Sequence, residues 1–193
     1  DPTLTPATLA YARGLLAAGK RRKAQKLLRA AWALAPQPEL AALYADSIEG
    51  DALARARALE ALAAVNPGHA ETALMQAEAA LAAKLWGEAR RHLTPLAETG
   101  EARACRLMAR LEEGESGASD RARAWEARAS VVGLGEPHWR CGNCGAESES
   151  WRALCRRCLG FGTIRWSAPA PALASAPAAA PAPTQLPGSA GES

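Results

Sequence analysis

The chain has 193 residues, 23 Lys and Arg against 20 Asp and Glu, and a formal net charge of +3. That balance gives no general reason to expect a nucleic-acid or anionic-membrane partner, and the length suits one elongated domain with an appendage. There is no apolar run of 18 residues and no signal-like segment, so the chain as given is expected to be soluble.

From the amino end to about residue 130 the sequence is rich in Ala, Leu, Arg and Glu, with apolar residues at three and four spacing and no strand-like alternation. Helices are predicted at 6–18, 21–34, 38–49, 51–65, 69–83, 86–97, 101–113 and 119–130. Small residues at Ala12, Ala45, Ala77 and Ala109 recur after 33, 32 and 32 positions, and each is followed 11 to 13 residues later by another, at Ala24, Ala56, Ala89 and Ala122. A period of one helix pair is the signature of a tetratricopeptide-like solenoid. Tyr11 and Tyr44 precede two of these alanines, and Leu15 and Ile48 lie three after them. Pro36 and Pro67 stand where second helices should stop, and Gly50, Gly87 and Gly114 are read as turn residues. The fold class expected is all-α: a helical-hairpin solenoid over 1–130, followed by a linker over 131–138.

In a solenoid the first helix of each pair lines a concave surface. One position after each small residue should face it, which nominates Arg13, Asp46, Glu78 and Arg110, with Arg103 and Arg106 on the same helix as Arg110, as a partner-binding groove of mixed charge. Cys105 reads as a small buried hydrophobe, and no nucleophile with an adjacent base stands out, so no enzyme activity is expected.

Residues 139–166 hold Cys141-x2-Cys144, a ten-residue gap and Cys155-x2-Cys158. Two facing Cys-x-x-Cys knuckles supply four thiolates to one tetrahedral metal, zinc by preference, although four sulfurs suit iron as well. Gly145 and Gly160 are expected to provide positive φ after the knuckles. A unit this small needs the metal in order to fold, and Trp139, Trp151, Phe161 and Trp166 are expected to form its mini-core. A rubredoxin-like zinc ribbon is the reading. Val131, Val132 and Leu134 make the linker apolar, which points to a ribbon docked on the last hairpin. From 167 to 193 the chain has 10 Ala and 6 Pro, too proline-rich for a sustained helix, and a disordered tail is expected.

The run Leu85-Trp86-Gly87-Glu88-Ala89-Arg90, then Arg106-Leu107-Met108-Ala109 with Leu111-Glu112-Glu113, then Trp125, and finally Trp139-x-Cys-x2-Cys through Trp151, Phe161 and Trp166, resembles the carboxyl-terminal part of alphaproteobacterial HemY proteins. The likeness covers about residues 70–166. It departs at Arg156 and Arg157, where such knuckles often carry proline. The resemblance implies a tetratricopeptide-repeat scaffold linked to haem biosynthesis, with haem-biosynthesis enzymes as partners, and association with the bacterial inner membrane through an amino-terminal anchor that this chain lacks. LapB, a regulator of lipopolysaccharide synthesis, is similar in architecture.

The function expected is a non-catalytic protein–protein adaptor. Three alternatives stand beside it: a LapB-like regulator; a rubredoxin-like redox module; or a nucleic-acid-binding ribbon in which Arg140, Arg152, Arg156, Arg157 and Arg165 interleave with aromatics that could stack on bases. Against the last, the rest of the chain reads as having no basic stripe.

Overall fold

The computed structural model describes residues 5–117, 120–132 and 138–167. Among these, eight helices precede three short strands: α1 Thr5–Ala17, α2 Arg21–Leu34, α3 Pro38–Asp46, α4 Ala52–Ala63, α5 Ala70–Ala82, α6 Trp86–Glu98, α7 Ala102–Ser116 and α8 Asp120–Val132, then β1 His138–Cys141, β2 Glu147–Ser148 and β3 Ile164–Ser167. The chain is mostly helical. The expected tail, from residue 168 onward, lies outside the described residues.

Local chemistry accounts for several helix ends. Pro38 opens α3 at a position where its missing N–H costs nothing. Asp51, His69 and Glu101 cap α4, α5 and α7 by accepting backbone N–H bonds from Ala54, Glu71 and Ala104. α3 stops at Asp46 rather than at 49, because buried Ser47 donates its hydroxyl to the Tyr44 carbonyl at 2.6 Å and receives Gln25 Nε2 at 3.1 Å, which turns the chain.

Two glycines expected at turns are inside helices: Gly87 in the first turn of α6 and Gly114 in α7. α7 continues to Ser116 and ends at Gly117, whose φ of 81° is the left-handed stop. Gly114 is glycine for a different reason. A Cβ there would lie 2.6 Å from Cη2 of Trp86, so the indole of α6 packs against the bare backbone of α7. The same two helices are joined by Arg90, whose guanidinium bonds the Glu112 carboxylate at 2.7 Å and Glu115 at 2.6 Å, with Glu112 buried. The runs 85–90 and 106–113 therefore meet in space.

Each helix packs on the next, and α1, α3, α5 and α7 also touch in succession. Of the eight recurring alanines, six are buried: Ala12, Ala24, Ala77, Ala89, Ala109 and Ala122. Ala45 and Ala56, both in the α3–α4 pair, are half-buried. Buried side chains form two helical clusters, one around Leu28, Trp32, Leu40 and Leu62, the other around Leu93, Cys105, Leu107 and Leu111. Val132 packs against the second cluster as part of α8, while Val131 is exposed. The apolar character of the expected linker thus belongs in part to the last helix.

Candidate metal centre

The strands form one antiparallel sheet in the order β2-β1-β3, with Trp139 opposite both Ser148 and Trp166, and Cys141 opposite Ile164. Register puts Trp139 and Trp166 edge to face, ring centroids 5.5 Å apart. Buried Trp139, Cys141, Cys155 and Ile164 make the core, with Trp151 and Trp166 packed against it. Phe161 is not part of it. It pairs with Leu154 in an isolated bridge and is 79% exposed, and the interior place expected for it is taken by Ile164.

The two knuckles repeat one backbone pattern. The Cys141 N–H donates to the Ala146 carbonyl at 2.8 Å and the Gly145 N–H to the Cys141 carbonyl at 2.9 Å; in the second, Cys155 donates to Gly160 at 3.1 Å and Leu159 to Cys155 at 3.0 Å. In each, the amide two residues on donates to the leading sulfur: Asn143 to Cys141 Sγ and Arg157 to Cys155 Sγ, both at 3.4 Å. Equivalent residues follow the second cysteines, and both take positive φ: Gly145 at 71° and Leu159 at 58°. The expectation for Gly160 is thus corrected. Its neighbour Leu159 adopts the left-handed conformation, and Gly160 is required because a Cβ would lie 2.9 Å from Thr163 Cγ2.

These knuckles face each other and bring all four sulfurs within 4.8 Å of one another. Cys141 Sγ is 3.7 Å from Cys158 Sγ, and Cys144 Sγ is 3.6 Å from Cys155 Sγ. Disulfides are excluded at that separation, since an S–S bond is about 2.05 Å. A tetrahedral zinc with Zn–S bonds of about 2.3 Å has sulfur–sulfur edges of about 3.8 Å, so the set fits a metal of that kind. The four cysteines could hold one ion.

Electrostatics point the same way. The Thr163 hydroxyl, 3.1 Å from Cys141 Sγ, and nearby backbone amides pull the Cys141 thiol down to about 6. Amides of Cys158 and Arg157 lower Cys155. At Cys144 the Ala146 amide also lowers the pKa, yet burial and the three neighbouring sulfurs outweigh it and push the thiol up to about 11. Four thiolates this close repel, and a divalent cation among them would remove that penalty and release the last protons. Thr163 had no signature in the sequence. It became visible only when β3 was laid against β1.

Other sequence-nominated residues fall elsewhere. His138 Nε2 lies 3.2 Å from Glu147 Oε1, beside Arg140, away from the sulfurs. Cys105 is fully buried in α7, where burial raises its thiol pKa. Asp46 and Glu78 line a common cavity of about 250 Å³ with Glu71, Arg55, Leu59 and Met75, among other residues of α3, α4 and α5. Arg103 is engaged: its guanidinium bonds buried Glu71 at 2.7 Å and approaches Glu78 at 3.4 Å, tying α7 to α5. Burial pushes the Glu71 carboxyl up, and Arg103 opposes this. Arg13 and Arg110 are exposed, and Arg106 is half-buried.

A basic stripe does exist outside the ribbon, contrary to the sequence reading. Arg22, Lys26 and Arg29 of α2 line a groove of about 580 Å³ with Ala30, Ala33, Tyr44 and Val65. Its source, Arg22, Lys26 and Arg29 at four and three spacing on one face of α2, stands in the sequence, but near-neutral net charge concealed it.

No protein-family model matches the chain, and no solved structure matches it. It is similar to a probable magnetosome protein, Mms48, of Magnetospirillum gryphiswaldense, at 38% identity over 178 residues. The match takes in 89% of this chain and 39% of the relative, so the chain spans about two-fifths of that protein's length.

Proposed function

We propose that this chain is a non-catalytic adaptor: a tetratricopeptide-like helical scaffold that grips a protein partner, carrying a zinc ribbon bound by Cys141, Cys144, Cys155 and Cys158. The observation that carries the reading is the shared cavity of α3, α4 and α5. It collects Asp46 and Glu78, two residues one position beyond the repeating alanines, from α3 and α5, one repeat apart in sequence. Successive contact of α1, α3, α5 and α7 supports a repeat arrangement in which such helices share one face. The partner set is drawn either from haem-biosynthesis enzymes, by the HemY likeness, or from magnetosome proteins, by the likeness to Mms48. For the complete protein, association with the inner membrane belongs to the same proposal. Among the described residues no helix is long and apolar enough to cross a membrane.

A charge change at both sites, Asp46→Lys with Glu78→Gln, tests the adaptor, the glutamine keeping an acceptor for Arg103. Neither residue is buried, so the melting temperature should stay within about 2 °C, as surface substitutions usually do. Capture of the partner from cell extract should fall about tenfold or more, as loss of a charged anchor at an interface implies. Unchanged capture overturns the groove. A second reading, a polyanionic partner such as nucleic acid, draws on the α2 stripe; it is favoured instead if nuclease treatment abolishes capture.

A further inference from the structure

The second knuckle carries three large apolar side chains in the open. Leu154 is 52% exposed, Leu159 72% and Phe161 79%. All come from one tight loop, closed by the Leu154–Phe161 bridge and by the Gly162 N–H donating to the Ala153 carbonyl at 2.7 Å. Chance scatter of exposed leucines is ordinary, but this cluster has an internal control. The first knuckle has the same backbone, and there the left-handed position is Gly145. At the equivalent position the second knuckle places Leu159 at φ 58°, a conformation that disfavours a bulky residue, with a side chain that contributes nothing to the core. A strained residue presenting an exposed apolar group is a feature of binding sites rather than of packing.

Beside the apolar tip stand Arg152, Arg156 and Arg157, the last two exposed. Among the described residues no carboxylate pairs with them; Glu147 is engaged by Arg140 and His138. Arg152 Nε is buried without a hydrogen-bond partner. Arg152, Arg156 and Arg157 line a cavity of about 420 Å³ with Glu147 and Glu149, and the three tip side chains stay outside that lining. Exposed apolar groups on the same short loop as three cations, two of them exposed, match a surface with negative charge outside and hydrocarbon beneath.

We infer that the second knuckle is an anionic-membrane contact, with Leu154, Leu159 and Phe161 entering the acyl boundary and Arg152, Arg156 and Arg157 meeting lipid phosphates. The metal would hold the tip rigid, so that insertion costs little ordering. This contact is separate from any amino-terminal anchor and independent of the adaptor groove.

The test uses the full zinc-loaded chain with vesicles of equimolar phosphatidylcholine and phosphatidylglycerol, and with phosphatidylcholine alone. Co-sedimentation should be strong with the anionic vesicles and at least tenfold weaker with the neutral ones. Leu159→Gly relieves the left-handed strain, so it should retain zinc at least as firmly as the parent while losing vesicle binding several-fold. Phe161→Ser should lose it also, and Phe161→Leu should keep it. Parent-like binding by both loss variants, or no sedimentation of the parent, overturns the inference. So does a lowered melting temperature of the helical unit in either variant, which would mean that the tip seats on the helices, or selective retention of an acidic polypeptide rather than vesicles.

Discussion

Thr163 shows how much one side chain can set at a metal site. Its Oγ1 lies 3.1 Å from both Cys141 Sγ and the Gly160 carbonyl, and a hydroxyl has one proton to give. When Cys141 is a thiolate the stronger acceptor is the sulfur, so the proton goes there, while the Thr163 carbonyl still receives the Gly142 N–H at 2.8 Å. Thr163→Val keeps the shape, the γ-methyl against Gly160 and the backbone bond, but removes the donor. Metal affinity should fall about tenfold, the lower end of what loss of a supporting hydrogen bond costs, as measured by competition with a chromophoric chelator. Thr163→Ser should restore it. An unchanged affinity would leave the depressed Cys141 pKa to the backbone amides alone.

The pairing of α6 and α7 is decided at the scale of elements. Trp86 opens α6 and lies over Gly114, while Arg90, one turn further along, reaches the buried carboxylate of Glu112. Replacing a helical glycine by alanine at an uncrowded position gains up to about 1 kcal/mol of helix propensity. Here the added Cβ meets the indole, and the overpacking cost of about 1–3 kcal/mol outweighs that gain. Gly114→Ala is therefore expected to destabilise the helical unit by about 1 kcal/mol in urea unfolding. In a Trp86→Ala background the same substitution should stabilise it. That reversal of sign is the measurement, because it isolates the contact between the two residues from everything else each does.

Across the whole molecule, the ribbon's core of Trp139, Cys141, Cys155 and Ile164 shares no residue with either helical cluster. A unit with so small a core depends on about 10–16 kcal/mol of apparent metal-binding free energy for its fold. Purified chain should carry one zinc by elemental analysis, and chelation should speed hydrogen exchange throughout 138–167. Exchange in α7 and α8 should be unchanged, since Val132 already packs on the helical core from within α8. Faster exchange there would mean that the ribbon caps the last hairpin.

Some of this was determined by sequence alone. The four-cysteine spacing and the eight helices described follow from short-range rules: a turn that aims two sulfurs one way, a 3.6-residue period, capping side chains, and Pro36 and Pro67 just beyond the ends of α2 and α4. Those rules act within a few residues, so they can be read along the chain. Which side chains are covered was decided by the tertiary structure. Phe161 and Ile164 look alike as candidates for a mini-core, but pairing of β3 with β1 buries one, and the bridge to Leu154 turns the other outward. Gly114 resembles a turn residue until Trp86 arrives from another helix, and Glu112 resembles a solvated charge until Arg90 does. Thr163 is anonymous until it lies beside Cys141. Apart from the Leu154 bridge, the deciding partner is 22 to 28 residues away, and burial depends on what that partner covers, a property no local pattern contains.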